Sequence, residues 1–504
     1  MSLESRLAAR AHDVGDLEYS PGQLSEGLAP RQRNMKLLGF VVGIVLAGLV
    51  AIVMPADVNQ GARMTAAVAV LMGTWWITEA VPLPATALLP LVLFPMLGIA
   101  DLADVSSSYA SSTVFLFLGG FLLALGLQRW NLHKRIALRI VLMVGTKPTR
   151  LIGGFMIATA VLGMWVSNTA TAMMMIPMAM SVIALVEKQD GVKPKSRFGV
   201  GLVISVAYAA TTSAFATIIG SPVNVIVAGY IRDTLGYQIT FLQWMAFGTP
   251  LTVVFMIIGW VLIAKWLWKP EVDRLPGGRE LFQEQLARLG RMSSGEIAVG
   301  VIFVLTALSW IFVPVIFENP WADDATIAMM AGIAVFLVPA RPRSAVMVLD
   351  WESAKEVPWG VLILFGGGLA LSGQITGTGL ATWMGESLSG LGGLPTWLLV
   401  VILAALLLFL TEFTSSTATA AAFVPVVGGV AGGLGQDPVL FAVTAGLACL
   451  CAFMLPVGTP PNAIAFASGS VTIPQMMRTG VWMNLIAIVL VTAVVLLLVP
   501  AILN

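Results

Sequence analysis

The sequence predicts an all-α polytopic membrane protein with about eleven transmembrane helices and two re-entrant hairpins arranged as an inverted repeat. Three observations predict this fold class. Hydrophobic residues make up 58% of the 504 residues and charged residues only 11%, whereas soluble proteins carry about a quarter charged residues. Basic residues cluster between apolar stretches, and a short polar sequence occurs twice inside apolar segments. Together these patterns indicate a protein that crosses a lipid bilayer many times.

The apolar sequence divides into candidate spans when it is scanned with a window of about 19 residues. The spans run over residues 36–54, 64–78, 83–99, 113–127, 199–231, 244–268, 297–317, 326–338, 359–372, 439–468 and 480–502. Two further segments, 151–186 and 397–431, are interrupted in the middle by polar residues. We expect each of these two segments to enter and leave the membrane on one side.

Lysine and arginine residues support this count and give an orientation. With the N-terminus in the cytoplasm, 25 of the 27 basic residues fall on the cytoplasmic side, and only Arg63 and Arg232 lie outside. An extra crossing at either interrupted segment would move later basic loops to the wrong side. The sequence therefore predicts a multi-pass protein of the cytoplasmic membrane with a cytoplasmic N-terminus.

The two halves of the chain repeat one another. The Ser-Asn-Thr sequence that begins at Ser167 matches the Ser-Ser-Thr sequence that begins at Ser415, and Pro177 matches Pro425 at the same separation of 248 residues. Later in each half, the sequence from Gly220 to Asn224 resembles the sequence from Gly458 to Asn462; Leu118–Leu122 likewise resembles Phe365–Leu369. Each half would hold five spans and one hairpin, and this odd number inverts the second half relative to the first.

This repeat divides the chain into four predicted units. They are a disordered cytoplasmic tail (1–35), a first span outside the repeat (36–63), repeat 1 (64–292) and repeat 2 (293–504). Repeat 1 contains the cytoplasmic-side hairpin 151–186, and repeat 2 contains the outside hairpin 397–431. Paired interruptions of this kind indicate a substrate site near the midplane of the membrane.

The residue types at the interruptions indicate which ligands this site would suit. Hydroxyl and amide side chains dominate, and the two histidines, His12 and His133, lie elsewhere. Hydroxyl groups and helix N-termini donate hydrogen bonds to anions, whereas freed carbonyls and side-chain oxygens coordinate cations such as Na⁺. A multiply charged anion in a site without basic residues needs positive charge, which co-bound Na⁺ would supply.

Other classes of protein fit the sequence less well. An enzyme would need a catalytic constellation, yet no membrane histidine or metal-ligand spacing occurs. A phosphate-binding loop is also absent from the sequence, so an ATP-driven pump is unsupported, and we expect no nucleic-acid partner. A channel fits less well because it would be expected to show charged rings or a continuous carbonyl filter.

The acidic residues nearest the apolar segments have expected roles. Glu79 and Glu412 are expected to hold backbone structure, with proton coupling through Glu412 as the alternative. Asp323 and Asp324 are expected in solvated loops.

The paired motifs, with the sequence from Trp76 to Pro82, resemble the divalent-anion/sodium symporter family over residues 36–502. The resemblance implies a homodimeric elevator-type transporter that moves C4-dicarboxylates such as succinate, malate and fumarate, or citrate or sulfate, with Na⁺. It implies substrate contacts from Ser167, Asn168, Thr169, Ser415, Ser416, Thr417, Thr459 and Pro460. It implies a first Na⁺ site at Ser167, Asn168, Gly220 and Asn224, and a second at Ser416, Gly458 and Asn462.

One residue departs from the family pattern. The second tip usually contains Ser-Asn-Thr, and here Ser416 replaces the asparagine. The shorter side chain affects the second Na⁺ site, so the number of Na⁺ ions and the substrate preference stay open. Sodium-coupled symport is the main interpretation, and Na⁺-independent exchange of one dicarboxylate or citrate for another is the alternative.

Overall fold

Helices account for nearly all regular structure in this protein. The structure, a computed structural model, describes residues 29–145, 147–187, 196–272, 278–317, 320–387 and 393–503. Most of the predicted N-terminal tail, residues 1–28, lies outside the described residues, and the first described helix begins at Pro30. Within the described ranges, strands β1 (Pro339–Arg341) and β2 (Val346–Met347) pair in an antiparallel sheet.

The N-terminal third begins with two long helices that pack against each other, followed by short ones. The helices are α1 (Pro30–Val53), α2 (Gln60–Thr78), α3 (Leu83–Thr86), α4 (Leu89–Met96), α5 (Leu102–Ser107) and α6 (Ser112–Arg129). The predicted single span 83–99 is instead two short helices. Pro84 and Pro90 each stand near a helix start, where a missing N–H is tolerated, so the chain restarts twice within this stretch.

The first hairpin and a broken helix follow. The elements are α7 (Leu132–Val144), α8 (Pro148–Gly163), α9 (Asn168–Glu187), α10 (Arg197–Ser213), α11 (Pro222–Asp233) and α12 (Phe241–Val261), and a π-helical stretch covers Leu262–Leu267. The predicted span 199–231 is thus two helices, α10 and α11, separated by an unwound segment. Ser196 caps the start of α10, and a reciprocal capping box between Thr240 and Gln243 begins α12.

The second half repeats this order of elements. Helix α13 (Gly278–Arg288) precedes it, and its own helices are α14 (Ser294–Ile316), α15 (Asp324–Leu337), α16 (Trp351–Ala354), α17 (Trp359–Gly377), α18 (Leu380–Ser387), α19 (Thr396–Thr411), α20 (Ser416–Gly433), α21 (Pro438–Cys449), α22 (Pro460–Ala467) and α23 (Ile473–Leu503). Helices α19 and α20 form the second hairpin. Helices α21 and α22 replace the predicted span 439–468 and form the second broken helix.

Eight stretches of helix in the described ranges are long and apolar enough to cross a membrane. Six lie at predicted spans, and the other two are the second arms of the hairpins, Asn168–Val186 and Ser416–Gly433. Shorter apolar helices, including both first arms, complete the set. Helix α1 has large apolar side chains exposed along much of its length, as a lipid-facing helix requires. The all-α, multi-pass membrane architecture predicted from the sequence is confirmed.

Close backbone contacts hold α6 against α15. A Cβ atom added at Gly119 would lie only 2.8 Å from the backbone nitrogen of Met329, so a side chain there would push the two helices apart. Gly332 faces Gly119 from the other helix. Small residues that let helices approach closely are the usual means of packing membrane helices. Gly119, which belongs to the repeated Leu118–Leu122 sequence, therefore serves helix packing between α6 and α15.

Two charged residues occupy positions that the sequence did not suggest. Asp324 was expected in a solvated loop, but it is 6% exposed and accepts a hydrogen bond of 2.7 Å from the backbone nitrogen of Phe241 at the start of α12. Arg135 is 4% exposed and pairs with Glu296 at 2.6 Å. Single-sequence patterns do not show which polar residues meet buried partners, so the sequence placed Asp324 in a loop and gave no buried partner for Arg135.

Candidate substrate site

A cavity of about 440 Å³ lies where the two hairpin tips meet the two broken helices. Its volume is within the range of small-molecule sites. It is lined by Phe117, Gly120, Phe121, Ala124, Leu125, Gln128, Trp165, Ser167, Asn168, Thr169, Thr211, Ile219, Gly220, Ser221, Pro222, Glu356, Pro358, Val361, Ser416, Thr417, Leu450, Thr459, Pro460 and Pro461. All of these residues lie in the described ranges, and among them Glu356 alone is charged.

The first tip presents its polar residues at the start of α9. Helix α8 ends at Gly163, and α9 begins at Asn168, so both arms meet in a turn of four residues. A Cβ atom added at Gly163 would meet the side chains of both Ser213 and Asn168, which shows how closely the tip approaches the end of α10. The Ser167 hydroxyl accepts a long hydrogen bond of 3.3 Å from the backbone nitrogen of Ala170. Backbone N–H groups at this helix start point toward the cavity end of the hairpin.

The second tip has the same arrangement with different side chains. Helix α19 ends at Thr411, and α20 begins at Ser416, whose hydroxyl lies 3.5 Å from the Gly458 carbonyl oxygen. Ser416 occupies the position that Asn168 has in the first tip. Its hydroxyl therefore reaches the second broken helix only at the outer limit of a hydrogen bond.

Each unwound segment is held together by one asparagine amide. Asn224 donates hydrogen bonds of 2.6 Å and 2.8 Å to the carbonyls of Ala214 and Thr217, and it is fully buried. Asn462 makes the equivalent bonds, of 3.0 Å and 3.1 Å, to Ala452 and Leu455. In both halves the acceptors lie ten and seven residues before the asparagine. This matching geometry is structural evidence that the two halves repeat.

The same asparagines leave acceptor atoms free. Within the described residues, the Oδ1 atoms of Asn168, Asn224 and Asn462 are buried without a hydrogen-bond partner. Buried polar atoms are nearly always satisfied, so exceptions need a reason. Both amide hydrogens of Asn224 and of Asn462 are donated to carbonyls, which fixes the orientation of each amide and leaves its Oδ1 as a free acceptor. Amide oxygens beside unwound carbonyls are the ligands that a hard monovalent cation requires.

Glycine is required at the first broken helix for space. A Cβ atom at Gly220 would lie 2.9 Å from the Ala214 carbonyl oxygen, which is one of the two acceptors of Asn224. At Gly458 a Cβ atom would lie 2.8 Å from the Ala452 side chain and 3.4 Å from Oε2 of Glu412. Lack of room for a side chain, against backbone at Gly220 and against the Ala452 side chain at Gly458, therefore accounts for a glycine at the first residue of both motifs.

The cavity brings together eight residues that the sequence analysis selected. They are Ser167, Asn168, Thr169, Gly220, Ser416, Thr417, Thr459 and Pro460. Ser415, Asn224, Gly458 and Asn462 are not among the lining residues; the two asparagines lie behind the wall and support it. The sequence analysis missed the opposite wall, which includes Phe121, Gln128 and Glu356. Gln128 and Glu356 lie outside the paired motifs, so no repeat signal could have selected them; Phe121 lies within the repeated Leu118–Leu122 sequence, but that sequence carries no polar residue that would mark a site.

Hydrogen bonds also join the two broken helices to each other. Thr211 of α10 lies 3.4 Å, hydroxyl to hydroxyl, from Thr459 of the second motif. Tyr208, which is fully buried, donates to the Phe453 carbonyl at 2.5 Å, and its hydroxyl also lies 3.1 Å from the Met476 carbonyl. The two unwound segments therefore belong to one packed unit.

The second unwound segment has an additional partner in Glu412. This carboxylate, 1% exposed, accepts hydrogen bonds from the backbone nitrogens of Phe453, Met454 and Leu455 and from the Asn484 amide. The contacts match the expectation that Glu412 holds backbone structure. Clusters of three or more His, Cys, Asp or Glu residues that could hold a metal ion do not occur in the described part of the chain.

Interrupted helices and paired hairpins around a central cavity define the class of secondary transporters. The sodium:sulfate symporter transmembrane-region model matches residues 32–502 of the chain. The chain belongs to this family, and the resemblance inferred from the paired motifs is confirmed.

Curated relatives agree with this assignment, and one solved structure has a similar fold. The chain is 40% identical, over 93% of its length, to proteins named sodium-dependent dicarboxylate transporter SdcS from Staphylococcus saprophyticus and Staphylococcus aureus strain USA300, of which it covers 92%. The crystal structure of the YdaH transporter from Alcanivorax borkumensis matches 92% of this chain and 98% of its own, with a TM-score of 0.55 and 11% identity. That likeness concerns the fold alone.

Proposed function

We propose that this protein is a secondary active transporter that carries C4-dicarboxylates such as succinate, malate and fumarate together with Na⁺. The observation that carries the proposal is the cavity between the tips. It offers hydroxyl and amide groups, has orphaned amide oxygens beside it, and lacks a basic side chain among its lining residues. A dianion bound there needs cations with it. The printed name of the SdcS relatives, which specifies sodium and dicarboxylate, supports the same ligands.

The substrate carboxylates would be bound by the hydroxyl and amide groups at the tips and at the second motif. The proposed contacts are Ser167, Asn168, Thr169, Ser415, Ser416, Thr417, Thr459 and Pro460. Seven of these eight line the cavity, and Ser415 stands at the N-cap of α20, where unpaired backbone N–H groups favour an anion. The aromatic side chains of Phe121 and Trp165 provide an apolar wall for the carbon chain.

Sodium ions would be bound behind the substrate, where tip and broken helix meet. The first proposed site uses Ser167, Asn168, Gly220 and Asn224, and the second uses Ser416, Gly458 and Asn462. The unpartnered Oδ1 atoms of all three asparagines, Asn168, Asn224 and Asn462, support the assignment. Because the cations and the dianion would neutralise each other, each would bind more tightly in the presence of the other. This mutual requirement is the physical basis of coupled transport.

The proposed orientation places the N-terminus and the cavity mouth on the cytoplasmic side of the cytoplasmic membrane. Gln128 at the end of α6 and Glu356 before α17 line the cavity, and both lie beside the basic residues predicted to be cytoplasmic. An inward-open state fits this lining. The two hairpins and broken helices would move together as the transport unit of an elevator, in a homodimer. The hydrogen bonds between α10 and the second broken helix support a unit that moves as one body.

Uptake of radiolabelled succinate into proteoliposomes tests the proposal. The purified protein is reconstituted, and uptake is measured with an inward Na⁺ gradient and with choline in place of Na⁺. Sodium-dependent uptake into empty vesicles is the expected result. Uptake that ignores Na⁺ and needs internal succinate would instead establish the exchanger. The mass of the purified protein in detergent, measured by light scattering, tests the homodimer.

A further inference from the structure

We propose that Glu412 is a positioning residue that fixes the second broken helix to the second hairpin tip and gives the second cation site its charge. The inference rests on the proposed function and goes beyond the residues assigned above. Glu412 is not among the lining residues of the cavity, and it forms no ion pair with a described Lys or Arg. Its role must therefore follow from the backbone that it binds.

The two carboxylate oxygens of Glu412 accept nearly as many hydrogen bonds as they can. Its Oε1 accepts from the backbone nitrogens of Phe453 at 2.8 Å and Met454 at 2.9 Å and from Nδ2 of Asn484 at 2.7 Å. Its Oε2 accepts from Met454 at 3.0 Å and from Leu455 at 3.1 Å. Three successive N–H groups of an unwound segment thus converge on one carboxylate. Charge-assisted hydrogen bonds of this kind are the stronger ones in proteins.

These contacts determine where the cation-binding carbonyls lie. Asn462 donates its amide hydrogens to Ala452 and Leu455, on either side of the segment whose N–H groups bind Glu412. The carboxylate holds the N–H side of the unwound backbone, and the asparagine holds the carbonyl side. Since Glu412 immediately follows α19, the tip and the broken helix keep one relative position.

The first half achieves the same connection without a charge. Met164 stands 248 residues before Glu412, and its backbone carbonyl accepts a hydrogen bond of 2.5 Å from the Thr217 hydroxyl. Leu455 holds the place in the second motif that Thr217 holds in the first, because each lies seven residues before the asparagine. Tip and broken helix are therefore joined at equivalent positions, by a neutral bond in one half and by a carboxylate in the other.

This asymmetry gives the two proposed cation sites different electrostatic potentials. Oε2 of Glu412 lies 3.4 Å from the position of a Cβ atom on Gly458, a residue of the second site. A carboxylate that lies next to a residue of the second site, away from bulk water, would favour a cation there. The second tip has Ser416 where the first has Asn168, so it has one amide oxygen fewer. The carboxylate of Glu412 compensates for this missing ligand.

The experiment measures Na⁺ binding separately from transport. Thermal unfolding of the purified protein is followed over a NaCl titration, with choline chloride keeping the ionic strength constant. Glu412→Gln keeps the side-chain volume but replaces one oxygen with an N–H group that faces backbone N–H groups. We expect the Na⁺ concentration for half-maximal stabilisation to rise about tenfold, with uptake at saturating Na⁺ within about twofold of wild type. Glu79→Gln is the matched control, because Glu79 is exposed and lies outside the cavity.

A second variant covers the case in which Glu412→Gln does not fold. Asn484→Leu removes the side-chain donor and keeps the carboxylate with its backbone partners, so the Na⁺ midpoint should rise by about threefold. An unchanged Na⁺ midpoint in either folded variant overturns the inference, as does a general loss of stability without a change in midpoint. Wild-type uptake that follows a proton gradient and is lost in Glu412→Gln also overturns it. If the wild-type protein takes up no succinate but Glu412→Gln still raises the Na⁺ midpoint of thermal stabilisation, the proposed substrate is wrong and this inference stands.

Discussion

Replacing Asn224 with alanine tests whether the amide that holds the first broken helix also forms a cation site. The change removes hydrogen bonds of 2.6 Å and 2.8 Å and leaves the carbonyls of Ala214 and Thr217 without their donors. An unsatisfied buried polar group costs about 1–3 kcal/mol, so the two carbonyls together cost about 2–6 kcal/mol. Gly220 and Ser221 of the same segment line the adjacent cavity, so the freed backbone has room to relax, which favours the lower end of that range, about 2–3 kcal/mol.

The expected loss of Na⁺ affinity follows from this energy. If the broken helix must be re-formed when Na⁺ binds, a cost of about 2–3 kcal/mol corresponds to a 30- to 150-fold weaker apparent affinity. The assay is the Na⁺ dependence of succinate uptake in proteoliposomes, with Na⁺-dependent thermal unfolding as a second readout.

A matched control uses an asparagine that has a similar local role at a distance from the cavity. Asn59 caps α2 by accepting from Ala62 at 2.8 Å and also donates to the Thr378 carbonyl. Asn59→Ala should lower stability by about 1 kcal/mol and leave the Na⁺ midpoint unchanged. A folded Asn224→Ala protein with the wild-type Na⁺ midpoint would refute the reasoning.

Three further predictions concern the tips and a buried ion pair. Asn168→Ala should abolish uptake, because it removes both an amide N–H that would donate to a substrate carboxylate and an unpartnered amide oxygen. Normal uptake by this variant would contradict the site assignment. Ser416→Asn should lower the Na⁺ concentration for half-maximal uptake, since a longer amide reaches the Gly458 carbonyl more easily than the present 3.5 Å contact; unchanged Na⁺ dependence would exclude this position as a ligand. Arg135→Leu should destabilise the protein by about 3–5 kcal/mol in thermal unfolding, because it leaves Glu296 buried without its cation.

The ion-pair prediction has its own control. Arg135 also donates to the carbonyls of Gly290 and Leu289, at 2.9 Å and 3.1 Å, so its loss affects the end of α13 and the following turn as well as α7. A double variant, Arg135→Leu with Glu296→Leu, should recover part of the lost stability. Additive effects of the two single changes would mean that the pair has no coupling energy.

The hairpins were predicted closely from the sequence. The predicted segments 151–186 and 397–431 compare with observed arms of Pro148–Gly163 and Asn168–Glu187, and of Thr396–Thr411 and Ser416–Gly433. Short polar sequences inside apolar helices leave this clear signal because backbone groups in a membrane must be satisfied locally. The same reasoning located the glycine motifs, although it treated each broken helix as one continuous span.

Other features of the molecule could not be predicted in this way. The span predicted at 83–99 is divided because prolines interrupt the backbone hydrogen bonding, which an average of hydropathy does not detect. Asp324 looked like a loop charge, yet it accepts a hydrogen bond from the start of α12, 83 residues away in the chain. Arg135 likewise meets a partner 161 residues away. Pairings over such distances depend on packing that local patterns do not encode.

The sequence by itself determined the membrane class, the two hairpins, the repeated motifs and the chemical character of the site. These follow from local properties: hydropathy, the cost of unsatisfied backbone groups and the placement of basic residues. Only the tertiary structure decided that the tips and broken helices share one cavity, that α6 and the start of α17 close its opposite wall, and that Glu412 binds three successive backbone N–H groups. The physical reason is that these contacts join segments far apart in the chain, and their geometry exists only once the helices have packed.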